Sequence, residues 1–586
     1  MDNGLFRITP SGRAGLLFAL FAFFVLPAVV GGQWLKIFTS TGCFVLAISG
    51  VAFMYARLGM VSLTQVGLMG VGGWVVLRLN HAFDLPFELN FLAAGVITSG
   101  FGMILALPAL RLRGLYLALV TLMAAGGFEI IFSTFQFPNG GEGFWGVKFG
   151  GFSADFRRPT IAQSDEAYMR YTIFVCTLGM LLIEFHRRLA PGRAWALIKR
   201  SEAAAMSAGV NVTLYKTWAF GISGLLAGIS GALLAGSLGL LSGGTFGASE
   251  SIMVFALAIV GGANFWLGAI VAATLFRILP ALLNDWGLDA DLSFVIFGAG
   301  LLHAVIYAPN GIAGQLMEMG SVVRKKIEPI SDRLRIQNSA AKEKTELSAS
   351  IEITDVSVHF GGVVALDNLS ASFTKQVNGI IGPNGAGKTT LMNVFSGFVS
   401  PEGGSIGIDG QILTELAPHK REHWGLRRSF QREEIADDLT VFDNVLAQLD
   451  GMGFIPSQKA SDVAHALDIV GMGEHSWRPA VELNNFERRL TDVAKCLVGY
   501  PKVIMFDEPA AGLSSEETEK LGELILSIYK HTGAKTLVID HDVDLIAKIC
   551  EETLVLDFGE RIAFGETSKI LSDPKVRAAY LGVGES

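Results

Sequence analysis

The chain is predicted to join two domain types: an α-helical polytopic membrane domain of roughly ten spans, then an α/β domain built around a phosphate-binding loop. Three observations predict this. Apolar runs dominate from about residue 14 to residue 308, and ordinary globular texture begins near residue 351. The stretch Gly382-Pro383-Asn384-Gly385-Ala386-Gly387-Lys388-Thr389 fits G-x-x-x-x-G-K-[ST] at every fixed position. Further on, the apolar stretch Val503–Phe506 ends in the carboxylate pair Asp507-Glu508.

Composition agrees with a membrane protein. The 586 residues are 51% hydrophobic and 17% charged, with mean hydropathy +0.46. A net charge of −8 argues against nucleic acid as a partner, because binding a phosphate backbone needs a basic face. Cys43, Cys176, Cys496 and Cys550 form no C-x-x-C pair, and two lie in apolar segments. They are read as structural, not as a disulfide framework or zinc site.

A spanning helix needs about 20 apolar residues. Candidate spans run near 14–31, 34–55, 58–79, 87–110, 114–135, 169–186, 213–240, 250–262, 266–283 and 292–308, the eighth being short enough to be broken or re-entrant. The first follows Arg7 and Arg13, but it is longer than a signal-peptide core and more spans follow, so it is read as an uncleaved helix. Positive residues mark cytoplasmic loops. Arg57, the pair Arg111 and Arg113, and the cluster Arg187, Arg188, Arg193, Lys199 and Arg200 therefore belong inside. The loop from Gln136 to Tyr168 then lies outside; its Lys148, Arg157 and Arg158 are offset by Glu142, Asp155, Asp165 and Glu166.

Gly67, Gly70, Gly72 and Gly73 interrupt the third span. Either they allow close helix packing, or they break a helix that lines the pathway beside Ser62, Thr64 and Gln65. Ionisable residues inside spans are costly, and Glu129, Arg277 and His303 stand out. Ser321–Ser350 is polar, begins with Arg324-Lys325-Lys326, and reads as a solvated tether whose basic start lies near lipid headgroups. The predicted domains are thus 1–320, a linker at 321–350, and 351–586.

In the last domain, Val377–Ile381 reads as a strand entering the glycine-rich loop, and Thr390–Phe395 as the helix leaving it. Backbone amides at such a helix start hold phosphates. Lys388 is expected to reach the β- and γ-phosphates and Thr389 to hold Mg²⁺ through its hydroxyl. Asp507 is placed to join the magnesium shell, and Glu508 to face the attacking water. A second strand, Lys535–Ile539, ends at Asp540-His541, where His541 could meet the γ-phosphate.

The loop, the strand-end Asp507-Glu508, Gln431 between them and His541 after them together resemble the nucleotide-binding domain of an ABC transporter, over about residues 351–586. The resemblance implies ATP and Mg²⁺ as cofactors, held by Phe360 at the adenine, by Gly382 to Thr390 at the phosphates, and by Thr389, Gln431 and Asp507 at the metal. It implies Glu508 as general base, His541 as switch, Gln431 as the residue coupling metal to membrane domain, and Ala511–Ser514 as the D-loop. Leu58–Gln65, Arg111–Ala118, Gly140–Gly143 and Ala308-Pro309-Asn310-Gly311 resemble branched-chain amino acid permeases, and Glu202–Gly209 resembles their cytoplasmic coupling loop. The ending Ala579-Tyr580-Leu581-Gly582 is similar to the matching ATPases. The chain thus looks like permease and ATPase subunits of a Liv-type importer joined end to end. A bacterial inner membrane, a periplasmic binding protein as donor, and an amino acid or related small polar substrate are implied.

One motif departs from the pattern. Where Leu-Ser-Gly-Gly-Gln is expected stands Leu483-Asn484-Asn485-Phe486-Glu487, followed by Arg488-Arg489. In ABC dimers this signature faces the γ-phosphate held by the opposite subunit. A Phe side chain hinders the backbone approach that glycine permits, and a Glu adds negative charge near phosphate. Two readings stand: tolerated variation, or a degenerate site. A homodimer would carry the defect twice, whereas a heterodimer confines it to one site. The expected partners are therefore a second Liv-type permease and a second ABC ATPase. Two rival readings are a half-size ABC exporter, against which the number of spans argues, and an ATP-driven membrane sensor without transport, which only the altered signature favours.

Overall fold

The computed structural model describes residues 10–112, 114–134, 158–239, 241, 243–308, 310–325, 350–452 and 456–581. Arg7, Arg113, Gly140–Gly143, Lys148, Asp155, Arg157, Pro309, Gly582 and residues 326–349 of the linker lie outside the described residues, as do the side chains of Arg324, Lys325 and Tyr580. The chain divides into two compact units, Met1–Trp195 with Thr213–Asp332, and Ala196–Val212 with Arg333–Ser586.

The first unit is helical. Its helices are α1 Pro10–Val29, α2 Gln33–Leu58, α3 Gln65–Phe83, α4 Phe87–Ala109, α5 Leu115–Thr134 and α6 Asp165–Arg188. After α7 Ala190–Arg200, whose residues from Ala196 onward count with the second unit, and α8 Glu202–Ser207, which belongs to the second unit, come α9 Val212–Leu238, α10 Ala248–Gly261, α11 Trp266–Asp285, α12 Leu292–Tyr307 and α13 Gly311–Lys325. Every predicted span overlaps one of these helices. Seven (α1, α2, α4, α5, α6, α9 and α11) are long and apolar enough to cross a membrane; α10 and α12 are shorter, and α3 carries Arg78 within its apolar length.

Burial sorts the bundle. The apolar windows of α2 and α9 are 83% and 89% buried, whereas those of α1 and α5 are only 22% buried. Exposed Leu17, Phe21, Leu92, Leu115, Met123 and Ile130 give the outer helices an apolar surface, as contact with lipid tails requires. The third span differs from expectation. Its helix begins only at Gln65, after a non-helical stretch from Gly59 to Thr64. The glycines are not the break. A Cβ at Gly72 would collide with the Gly228 backbone of α9, and a Cβ on Gly231 with the carbonyl of Met69. Small residues here let α3 and α9 pack closely. The polar residues hold the non-helical stretch in place. Leu63 N–H donates to Thr121 Oγ1 at 3.0 Å, and Ser62 bonds Thr64 at 3.1 Å. Buried Gln65 donates to the Ala47 carbonyl at 2.9 Å and accepts from Ser223 Oγ at 2.9 Å.

The three ionisable residues singled out in the spans have local partners. Glu129 accepts from the Ala248 amide at 3.3 Å, Arg277 donates to Ser40 Oγ at 3.1 Å, and His303 packs on Tyr307 with ring centroids 5.5 Å apart. The four cysteines are free and buried.

The second unit is α/β. Its strands are β1 Ile351–Phe360, β2 Val363–Phe373, β3 Val377–Ile381, β4 Gly403–Ile408, β5 Gln411–Ile412, β6 Leu426–Ser429, β7 Val503–Asp507, β8 Lys535–Ile539, β9 Glu552–Asp557 and β10 Glu560–Glu566. One sheet is antiparallel, in the order β2-β1-β4-β5; the other runs β10-β9-β3-β8-β7-β6. In the second sheet β9, β3, β8, β7 and β6 are parallel neighbours, and β10 is antiparallel to β9. Strands β3, β7 and β8 are buried at every residue, as continuous apolar runs in a parallel sheet require. Ile504 and Phe506 enter one core, Val503 and Met505 the other. The helices of this unit include α14 Lys388–Ser396, α15 Pro418–Trp424, α16 Val441–Leu446, α17 Pro456–Ile469, α18 Asn485–Leu497, α19 Ser515–Thr532 and α20 Val543–Ile549. Ligands of open parallel sheets bind beyond the carboxyl ends of the strands, and the loops after β3, β7 and β8 carry the candidate residues.

Candidate nucleotide site

The loop from Gly382 to Gly387 joins β3 to α14. Gly387 is the N-cap of α14 at φ 98°, with no side-chain cap on the helix amides. A Cβ there would be strained by the left-handed backbone and would press on the Ala365 carbonyl and Leu366. Ala386 is buried, Pro383 and Thr390 are half-buried, and Asn384, Gly385 and Thr389 are exposed. Lys388 lies inside the loop, its Nζ donating to the carbonyls of Gly382 at 2.7 Å and Pro383 at 2.9 Å. Burial lowers its pKa, and the charges of Glu508 and Asp507 oppose that shift. Both carboxylates therefore bear on the lysine across the end of β7.

Those carboxylates have distinct surroundings. Asp507 is buried, and its Oδ2 accepts from Arg428 Nη2 at 2.8 Å. Glu508 sits just past the strand at φ 48°, a left-handed conformation costly for a non-glycine residue. Its amide donates to the Ile539 carbonyl at 2.7 Å, which ties the turn to β8. Gln431 Nε2 donates to Glu508 Oε2 at 2.6 Å, and His541 Nδ1 lies 3.9 Å from the same oxygen. Gln431, Glu508 and His541 thus converge. Asp540, beside His541, is buried, which raises its pKa although the amides of Asp542 and Ala510 hydrogen-bond to it. Phe360 ends β1 and is 54% exposed, a face open to stacking.

The residues fit a magnesium ion by donor chemistry. Mg²⁺ takes oxygen ligands and keeps several waters. Gln431 spends its amide nitrogen on Glu508, which leaves its carbonyl oxygen as a donor. Arg428 occupies one carboxylate oxygen of Asp507, Oδ2, and Thr389, with its hydroxyl, is an exposed residue.

Arg428 is a site residue that sequence reasoning missed. It also donates to Asn393 Oδ1 at 2.9 Å and Ser396 Oγ at 3.0 Å, both on α14, and its guanidinium lies 4.8 Å from the Phe430 ring centroid. The only sequence signal was a charged residue three positions before Gln431.

The altered signature is folded on itself. Asn484 caps α18, its side chain accepting from Glu487 N–H at 2.8 Å while Glu487 accepts from Asn484 N–H at 2.9 Å. This reciprocal capping box satisfies two of the helix-start amides. The Glu487 carboxylate also has a partner outside the helix. Arg478 grips that carboxylate through both nitrogens, at 2.7 and 2.9 Å. Burial acts to raise the Glu487 pKa, but the bonds from Arg478 and Asn484 outweigh it and lower the value, so the charge is neutralised by a partner. Ser514, in the stretch expected as the D-loop, caps α19 in a second capping box with Glu517.

Residues Ala196–Val212 belong to this unit. The helix α8 is capped by Ser201, whose side chain accepts from Ala204 N–H. Just before it, Lys199 pairs with Asp438 at 2.8 Å and Arg200 with Glu434 at 3.0 Å. These acidic partners follow Gln431 closely in sequence.

Comparison with known proteins agrees with this arrangement. The family described as branched-chain amino acid transport system / permease component matches residues 33–305, and the ABC transporter family matches residues 366–511. The high-affinity branched-chain amino acid transport ATP-binding protein BraF of Pseudomonas aeruginosa is 34% identical over 248 residues, 40% of this chain and 97% of its own. LivG of Escherichia coli, with the same description, is 33% identical over 248 residues, again 40% and 97%. A probable LivG of Methanocaldococcus jannaschii is 31% identical over 242 residues, 38% of this chain and 94% of its own. A helical multi-pass permease region and a nucleotide-binding ATPase domain are therefore present in one polypeptide, and the chain belongs to the branched-chain amino acid family of ABC transporters.

Proposed function

We propose that this chain is the fused permease and ATPase subunit of a heteromeric importer in a bacterial inner membrane. Its domains run 1–320, 321–350 and 351–586. The substrate is a branched-chain amino acid or a related small polar or organic acid, delivered by a periplasmic binding protein. The names of BraF and LivG support the substrate class. The observation that carries the coupling is that Ala196–Val212, flanked by helices of the permease region, folds as part of the ATPase unit.

ATP binds with its adenine on Phe360 and its phosphates along Gly382–Thr390. Thr389, Gln431 and Asp507 hold Mg²⁺, which when bound neutralises phosphate charge. Lys388 exchanges its two loop carbonyls for phosphate oxygens. Glu508 takes the proton of the attacking water, and Gln431 and His541 hold that carboxylate in place. The capped signature at Asn484–Glu487 serves the opposite subunit's ATP poorly, so the partner is a different ATPase whose own signature completes this site. A second permease pairs with the membrane region, and the basic start of the linker meets lipid headgroups.

The test is uptake by vesicles that hold the assembled transporter and ATP, supplied with binding protein and labelled leucine, isoleucine or valine. ATP-dependent accumulation, competed by the other branched-chain amino acids, is expected. Accumulation of no amino acid under these conditions would sink the reading.

A further inference from the structure

We propose that Arg427 and Arg428 are back-to-back positioning residues on β6 that tie the seating of the segment Ser201–Gly209 to the magnesium carboxylate Asp507. This rests on the reading of Asp507 as a metal ligand.

Successive side chains of a strand point to opposite faces. Arg427 turns toward α15 and the seat. It forms an ion pair with Glu422 at 3.1 Å, each side chain being 1% exposed, and donates to the Val498 carbonyl at 3.3 Å. The same Glu422 oxygen accepts from Gln448 Nε2 at 3.0 Å. Gln448 Nε2 in turn donates to the Ser207 carbonyl at 3.1 Å, at the end of α8. The other Glu422 oxygen has no hydrogen-bond partner among the described residues and lies 3.9 Å from His423 Nε2. It occupies the place where a side chain on Gly209 would fall, and Gly209 has φ 74°. Only glycine fits there without strain. The seat is therefore built: Ser207 and Gly209 on one side, Glu422 and Gln448 on the other.

Arg428 faces the opposite way and pairs with buried Asp507. At the edge of β6, Ser207, Glu422 and both arginines border one small cavity. Separating one member of a buried ion pair strands a charge, which is strongly unfavourable. Glu422 and Arg427 consequently move together, as do Arg428 and Asp507. The planar peptide between the two arginines joins the pairs. Any shift of the seat that moves Glu422 is passed through β6 to the side chain that holds one oxygen of Asp507. Lys199 and Arg200, paired to Asp438 and Glu434, keep the segment attached while this happens.

The experiment measures Mn²⁺ binding by electron paramagnetic resonance in the assembled, ATP-loaded transporter, in a Glu508→Gln background that stops hydrolysis at this chain's own site. Gln448→Leu, Gly209→Ala and the charge-neutral double change Glu422→Gln with Arg427→Met each alter the seat without touching the metal ligands. Each is expected to weaken Mn²⁺ binding about threefold or more, with metal-free nucleotide binding held within about twofold. The mild Gln448→Leu variant decides the matter if the double change does not fold. Asp507→Asn is expected to abolish Mn²⁺ binding at the site. If it does so while every folded seat variant binds Mn²⁺ like the parent, the relay is wrong and the metal reading stands. If Asp507→Asn leaves Mn²⁺ binding intact, the metal reading fails and takes the relay with it.

Discussion

The start of α14 and the start of α18 meet the same physical problem and solve it in opposite ways. Each helix begins with amides that have no partner within the helix. At α14 the N-cap is Gly387, with no side chain to fill those amides, and the loop before it leaves them for an anion. At α18 the N-cap is Asn484, whose side chain and that of Glu487 close the helix start reciprocally, while Arg478 clamps Glu487. A helix start binds phosphate only while its donors are unspent. In this chain one start is kept open and the other is closed by its own residues.

That contrast can be broken in four ways, in falling order of effect. Lys388→Ala removes the one cation inside the open loop. Loss of a charge-assisted bond corresponds to about 1.5–3 kcal/mol, so nucleotide affinity by equilibrium binding should fall about 10- to 100-fold. Restoring the signature with Asn484→Ser, Asn485→Gly, Phe486→Gly and Glu487→Gln should raise hydrolysis at the partner's ATP about tenfold, below the roughly 10²–10³-fold that one well-aimed donor can contribute. No gain in a transporter whose own Glu508 is changed to Gln would show that the closed start is not what limits that site. Asn484→Ala should lower the stability of the ATPase unit by about 1 kcal/mol, the usual worth of an N-cap, read as a shift in urea midpoint. Lys199→Ala breaks a half-exposed ion pair and should cost about 0.5 kcal/mol or less, vanishing at high salt.

The open start was legible in the sequence, because its glycines, lysine and threonine are local and contiguous. The closed start was legible only as a departure. Phe486 and Glu487 stood out, but the clamp from Arg478 depends on folding and could not be read from the sequence. The membrane helices were legible because apolar length is a local property. The start of α3 was not, since the hydrogen bond of Leu63 reaches Thr121 and that of Gln65 reaches Ser223. Glu422, Arg427 and Arg428 were invisible for the same reason. Charged residues in a row read as surface, and only the sheet brings Arg428 to Asp507, 79 positions away.

Glu508 tests the account most directly, because the proposed function makes it the general base of this chain's ATP site. Vesicles containing the assembled transporter, ATP inside and the binding protein outside, are to be compared with the same vesicles carrying Glu508→Gln. Loss of a general base lowers rates by about 10²–10⁴-fold, so both ATP hydrolysis and accumulation of labelled substrate should fall by at least about 10²-fold, with ATP still bound. Uptake equal to that of the parent chain would contradict the account.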